Sequence, residues 1–170
     1  QGLIEASDDS YRLTRTGRPL GERYHDERPD YYYYYYARLY PAARASKTHS
    51  ALCQRVYGKD LVQDGQADIE SLDELIRQLG IRPGESVLAM GCGAGGISEY
   101  ISDETGARVT GLDNSPSAIE TAMAHTQTKR ERLKFQPGDM NALDLPEHSF
   151  DSAYSIDTLY WADDVGKAVL

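Results

Sequence analysis

The stretch Ser86-Val87-Leu88-Ala89-Met90-Gly91-Cys92-Gly93-Ala94-Gly95-Gly96, SVLAMGCGAGG, places four glycines in six residues directly after an apolar run. A short run of apolar residues without alternation predicts a strand buried on both faces. Glycines between such a strand and a helix start let a ligand approach the backbone and be met by free N–H groups. Gly91-x-Gly93-x-x-Gly96 fits the dinucleotide fingerprint, and Gly91, Gly93 and Gly95 fit the GxGxG of nucleoside-binding loops.

The flanking sequence supports a nucleoside ligand. Val109-Thr110-Gly111-Leu112-Asp113 ends in an acid 20 residues after Gly93. A carboxylate there can accept both ribose hydroxyls, which NAD and S-adenosylmethionine would each require. Around the loop, Gly95–Thr105 reads as a helix, Arg108–Leu112 as a second strand, and Ser115-Pro116 as an N-cap with proline in the first turn. That helix runs to about Lys129. Leu133–Gln136 and Phe150–Ser155 are the third and fourth strands, and Asp163 or Asp164 opens a last helix. Strand and helix in alternation predict an α/β, doubly wound, Rossmann-like parallel sheet.

Towards the N-terminus, Asp68 can cap a helix in which Ile69, Leu72, Leu75, Ile76 and Leu79 recur at helical spacing, with Gly80 ending it. A further helix is expected from Ala43 to Tyr57. Six consecutive tyrosines, Tyr31–Tyr36, follow Asp30 and read as a helix stopped by Pro41. Residues 1–30 carry almost no apolar periodicity and are expected to form a poorly ordered arm. The domain reading is 1–42 as a polar, tyrosine-rich arm, 43–81 as a helical cap, and 82–170 as the nucleoside-binding domain.

Composition excludes other classes. Residues 1–50 carry eight basic against seven acidic side chains, and residues 51–170 carry ten against twenty. So acidic a surface repels phosphate backbones, so a small molecule is expected as partner and no nucleic acid. No apolar run reaches the roughly 20 residues that span a bilayer. The two cysteines, Cys53 and Cys92, form no CxxC pair, and the four histidines show no ligand spacing. The expectation is a cytoplasmic protein with no metal.

Through PGESVLAMGCGAGG, GLDNSPSAIETA, GDMNALDLPEHSFD and SIDTLYWADD, residues 82–165, the chain resembles the class I S-adenosylmethionine-dependent methyltransferases. The resemblance implies the N-terminal half of a seven-stranded fold and methyl transfer to a small-molecule acceptor by in-line displacement. Gly91, Cys92, Gly93 and Gly95 would line the methionine and ribose part of the cofactor. Asp113 would hold the ribose, with Asn114 beside the adenine. Asp139 would accept from the adenine amino group, with Met140 packed on the ring. Ser155 would border the sulfonium, with Asp157 and Tyr160 nearby. Segments before the first strand would help form the acceptor pocket, making His49 a candidate general base beside Tyr160. Bland readings stand next to these: Asp139 as a turn cap, Tyr160 as helix-entry packing, the tyrosines as a packing or subunit interface.

Two departures qualify the resemblance. Where the family places an acid, this chain has Ala89, and a lost charge-assisted hydrogen bond is worth about 1.5–3 kcal/mol. Only four of seven strands can be placed, which leaves the fourth as an open edge to be covered by a missing C-terminal half or by another subunit. A catalytically silent cofactor-binding module therefore stands as the alternative. An NAD-dependent oxidoreductase is a further one, disfavoured by the 85 residues before the first strand and by Asp139.

Overall fold

A computed structural model of the chain describes residues 4–7, 10–13, 30–143 and 145–169, with side chains from residue 35 to residue 168 apart from residue 144. It divides into two units, Gln1–Tyr36 and Ala37–Leu170. In the first, β1 (Ile4–Ser7) and β2 (Ser10–Leu13) pair antiparallel, Ile4 opposite Leu13. The sequence suggests a poorly ordered arm over residues 1–30; the described part of it holds this ladder. The tyrosine run is helical, as Asp30 and the residues after it predict, and Tyr35 and Tyr36 meet edge to face.

Helix α1 (Asp30–Ala45) continues through Pro41 instead of stopping there. Proline removes one N–H from the ladder, a local cost that tertiary packing overrides. Tyr40 and Ala43, on either side of it, are buried within the second unit. The break comes at Ser46, whose hydroxyl caps α2 (Lys47–Tyr57) by accepting from His49 N–H at 3.1 Å. The single helix expected from Ala43 to Tyr57 is therefore two. Helix α3 (Ile69–Leu79) has the cap foreseen for it, with Asp68 accepting from Ser71 N–H and Gly80 left-handed at its end.

The second unit is built on four parallel strands in the order β5-β4-β3-β6. These are β3 (Ser86–Met90), β4 (Arg108–Asp113), β5 (Leu133–Pro137) and β6 (Ser152–Ser155). Helices α4 (Gly96–Thr105) and α5 (Pro116–His125) make the crossovers between β3, β4 and β5. A short 3₁₀ turn, Gln127–Lys129, replaces the end of the helix predicted to Lys129, and β6 begins two residues later than Phe150. Among the described residues β6 pairs with β3 alone and stands at the sheet edge. A turn at Leu159–Trp161 and helix α6 (Val165–Val169) follow.

Both faces of β3 are buried, as its unbroken apolar run requires. Val87 and Ala89 join Val109, Leu133, Phe135 and Tyr154 against Leu72, Ile101, Ile119 and Ala122 of the helices. Leu88, Met90 and Leu112 form the opposite face with Leu143, Leu145, Phe150 and Leu159. One row across the sheet explains the small residues at its centre. It reads Phe135, Gly111, Ala89, Tyr154 in register, two aromatics flanking two residues with almost no side chain. A Cβ on Gly111 would lie 2.6 Å from the Phe135 ring. At the other end, the Tyr154 hydroxyl meets Ser98 Oγ of α4 at 3.0 Å, both groups buried.

That pair sets a first expectation. Tyr154→Phe leaves the buried Ser98 hydroxyl without its partner and lowers stability by about 1–3 kcal/mol. Adding Ser98→Ala recovers most of the loss, as urea unfolding of the two single variants and the double would read out. Equal loss in the double variant would dismiss the pairing.

Candidate functional site

The site lies where the C-terminal ends of β3 and β4 meet the start of α4, the crevice in which open α/β sheets receive ligands. The glycine loop turns away from β3 with its Gly91 and Cys92 N–H groups donating to Leu112 carbonyl at 2.8 and 2.9 Å. Gly93, at φ +52, and Gly95, at φ +81, hold left-handed backbone that a side chain would strain.

What comes close to these glycines is in part the protein itself. A Cβ on Gly93 would stand 2.6 Å from the hydroxyl of Tyr40, and one on Gly95 would meet Ala122 and Phe135 at 2.8 and 2.9 Å. At Gly91 it would overlap the Thr158 side chain, and at Gly96 the carbonyl of Leu61. The sequence reading assigned the bare backbone wholly to a ligand; α1, the 58–67 loop, α5, β5 and the turn after β6 share it.

Asp113 is the hinge of the arrangement. It ends β4, and its Oδ2 accepts from Gly93 N–H at 2.8 Å while Oδ1 accepts from Ser115 N–H at 2.9 Å. Ser115 in turn caps α5, as the Ser-Pro pair predicts. One carboxylate thus ties the glycine loop to the next helix. Two ionised oxygens offer about four lone-pair positions, so each still has capacity for a ligand hydroxyl. Burial pushes its pKa up, and the two backbone donors pull it part of the way back. Beside it, burial first and the Asp113 charge second push the Cys92 thiol well up, which makes Cys92 a packed neutral group.

The remaining predicted residues are dispersed around this centre. Asn114 is exposed at the end of β4. Asp139 is exposed, and its Oδ1 accepts from the backbone and side-chain N–H groups of Asn141, a local turn of the kind its bland reading described. Met140 is half-buried beside it. The Ser155 and Thr158 hydroxyls touch each other, and both lie within 3.1 Å of Met90 carbonyl. With one proton each, two of these three contacts are hydrogen bonds at a time, and together they tie the end of β6 to the end of β3.

Asp157 takes a left-handed backbone, φ +53, and its carboxylate accepts from Gln66 N–H at 2.6 Å. That bond straps the 58–67 loop to the turn after β6. Tyr160 is exposed and its ring lies 4.9 Å from that of Trp161. His49 is set on α2 with Nδ1 3.5 Å from the sulfur of Cys53. Tyr40 belongs to the segment before the first strand that the resemblance implied would fold over the site, and it does approach Gly93. Sequence reasoning missed Leu61, Gln66 and Thr158 as parts of this neighbourhood. Each reaches it by a contact distant in sequence, and only the bare glycines opposite hinted that something would fill the space.

Residues 88–170 match a family model described as a methyltransferase domain. Over 119 residues, 69% of the chain, the sequence is 32% identical to a phosphoethanolamine N-methyltransferase of Triticum aestivum, of which this covers 23%. Over 80 residues, 46% of the chain, it is 45% identical to a sterol 24-C-methyltransferase of Pneumocystis carinii, of which this covers 21%. The chain thus spans about a quarter or less of these relatives. A methyltransferase from Thiobacillus denitrificans, solved with S-adenosylhomocysteine, shares the fold at TM-score 0.51 and 24% identity, over 59% of this chain and 41% of its own.

Proposed function

We propose, on the premise that residues 88–170 form a methyltransferase domain of the class I S-adenosylmethionine-dependent type, that the chain is the cofactor-holding part of an enzyme that methylates a small molecule. The observation that carries this reading is the Asp113 carboxylate, bonded at once to Gly93 and Ser115 and placed at the mouth of the glycine loop. A dinucleotide or an adenosyl cofactor would use it alike, and the similarity to methyltransferases selects the second.

When bound, the cofactor supplies a methyl group on a positively charged sulfur, already activated for displacement. The protein's work is then to orient. Asp113 would accept the ribose hydroxyls, and its bonds to Gly93 and Ser115 keep the carboxylate from turning away. Asn114, Asp139 and Met140 would receive the adenine, with the second oxygen of Asp139 left beyond its turn. Gly91, Cys92 and Gly95 would offer backbone to the methionine end, beside Gly93, which the Tyr40 hydroxyl approaches. Ser155 would border the sulfur through the hydroxyl pair at Met90. Tyr160, exposed in the turn after β6, faces the acceptor side in this reading. The general-base role for His49 gives way to the one argued below.

Calorimetric titration with S-adenosylhomocysteine, with NAD as control, tests the reading. Saturable binding of the first alone is the expected result; NAD binding, or no binding of either, would overturn it. Ala89 adds a second arm. It is fully buried between Gly111 and Tyr154, so Ala89→Asp puts a carboxylate into the aromatic-flanked row. The variant is expected to bind S-adenosylhomocysteine about tenfold more tightly, by one recovered charge-assisted bond, and to unfold at lower temperature because a buried charge is costly. Unchanged affinity would mean that the missing acid is not what limits binding. Ala89 also favours the reading of a silent binding module, and methyl transfer to an added acceptor separates that from an enzyme.

A further inference from the structure

His49 and Cys53 are four residues apart on α2, so both side chains leave the same face of the helix. Asp60 comes to that face from the loop after the helix, and one ligand atom from each of the three lies within 4.8 Å of the other two. Cys53 is 1% exposed and is the buried member; His49 and Asp60 are half-buried, which leaves an open side. The sequence reading expected no metal because the histidines are scattered; the fold supplies the third group.

We propose that His49, Cys53 and Asp60 form a binding site for a divalent cation of the zinc class, with solvent as fourth ligand. The sulfur–nitrogen distance is that of such an ion's ligands. Tetrahedral Zn–S and Zn–N bonds of about 2.3 and 2.05 Å set sulfur and nitrogen roughly 3.6 Å apart, and Cys53 Sγ lies 3.5 Å from His49 Nδ1 and 3.8 Å from Nε2. Binding would turn the imidazole to aim one nitrogen at the ion and draw in the Asp60 carboxylate, which lies within 4.8 Å. A thiolate in the set selects a borderline metal over magnesium or calcium. Asp60 is already oriented, since its Oδ1 accepts from Val62 N–H at 3.0 Å, the kind of outer bond that steadies a ligating carboxylate. Val62 itself, β-branched, is held at φ +54, a strained conformation that the surrounding contacts must sustain.

Cys53 would bind as the thiolate, so the cation competes with a proton for the sulfur. On binding, the Sγ–H bond breaks as the Sγ–metal bond forms, one proton leaves to solvent, and no group is oxidised or reduced. The ion would also clip α2 to the loop whose Leu61 carbonyl packs on Gly96. The site stands independently of the cofactor assignment.

The test uses zinc and cobalt ions on the intact chain. Zinc titration against a chromophoric chelator is expected to give one bound equivalent and one proton released. Cobalt(II) is expected to give a thiolate-to-metal charge-transfer band in the near ultraviolet. Cys53→Ser removes the band, Cys92→Ser keeps it, and His49→Gln and Asp60→Asn each weaken binding by about 10- to 100-fold. A band that survives Cys53→Ser, the absence of stoichiometric binding, or full affinity in both His49→Gln and Asp60→Asn would overturn the proposal. The last two variants keep the test decisive if Cys53→Ser fails to fold.

Discussion

Asp113→Ala is expected to weaken S-adenosylhomocysteine binding by roughly 10²–10⁴-fold if Asp113 holds the ribose as proposed. The figure follows from two hydrogen bonds to an ionised carboxylate, each worth about 1.5–3 kcal/mol. The loop loses its tie as well, because Gly93 and Ser115 N–H lose their acceptor together. Asp113→Asn keeps one oxygen acceptor and falls between the wild type and Ala. The ionised form is the acceptor, so affinity declines as pH falls through the pKa of Asp113. Burial raises that pKa, so the decline begins above the ordinary aspartate value of about 3.9. The Asn variant lacks this pH dependence. Calorimetry across pH 4 to 7 reads both effects, and an Ala variant that binds within threefold of wild type would remove Asp113 from the site.

Gly96→Ala is expected to lower stability by about 1–3 kcal/mol or more, the range for forcing a methyl into a packed site. The obstacle is the backbone carbonyl of Leu61 and not the tip of a flexible side chain. That carbonyl is poorly free to retreat. Leu61 N–H donates to Gln63 Oε1 at 3.0 Å, Val62 N–H donates to Asp60, and Gln66 N–H is strapped to Asp157. In a chain of 170 residues each kcal/mol moves Tm by roughly 2–4 °C. Gly138→Ala is the control, since its methyl would meet Leu112 at an ordinary 3.4 Å. Thermal unfolding that treats the two alike would show that the 58–67 loop does not press on α4.

The framework of the second unit was legible because each signal in it is local. Ser86–Met90 is a strand with the predicted bounds, since four of its five residues are buried and nothing nearby competes. Asp68 and Ser115 cap the helices they were expected to cap, by contacts three residues long. Asp113 could be singled out as a candidate because the distance from a glycine loop to the end of the next strand is nearly constant in such folds, and the structure ties it to that loop through Gly93. Pro41 misled because its local cost is outweighed by the burial of Tyr40 and Ala43, which no neighbouring residue announces. Leu61 and Thr158 escaped for a similar reason, meeting the loop across long stretches of chain. Two of the three residues of the His49–Cys53–Asp60 group lie four apart on one helix, a spacing the sequence reading passed over; the loop carrying Asp60 was legible, but not its return to that helix face.

The strand order has a consequence for how the chain is made. β3 lies at the centre, between β4 and β6, yet Ser155 of β6 follows Met90 of β3 by 65 residues. On a ribosome adding about 5–20 residues each second, that separation is a wait of roughly 3–13 s. Through that interval β3 can pair with β4, and β4 with β5, while the other margin of β3 offers its N–H and C=O groups to any passing strand. The glycine loop is therefore shaped on one side by Leu112 well before Ser155 and Thr158 arrive to tie down Met90 on the other. A nascent chain held by chaperones over this window would be caught with its ligand crevice half assembled.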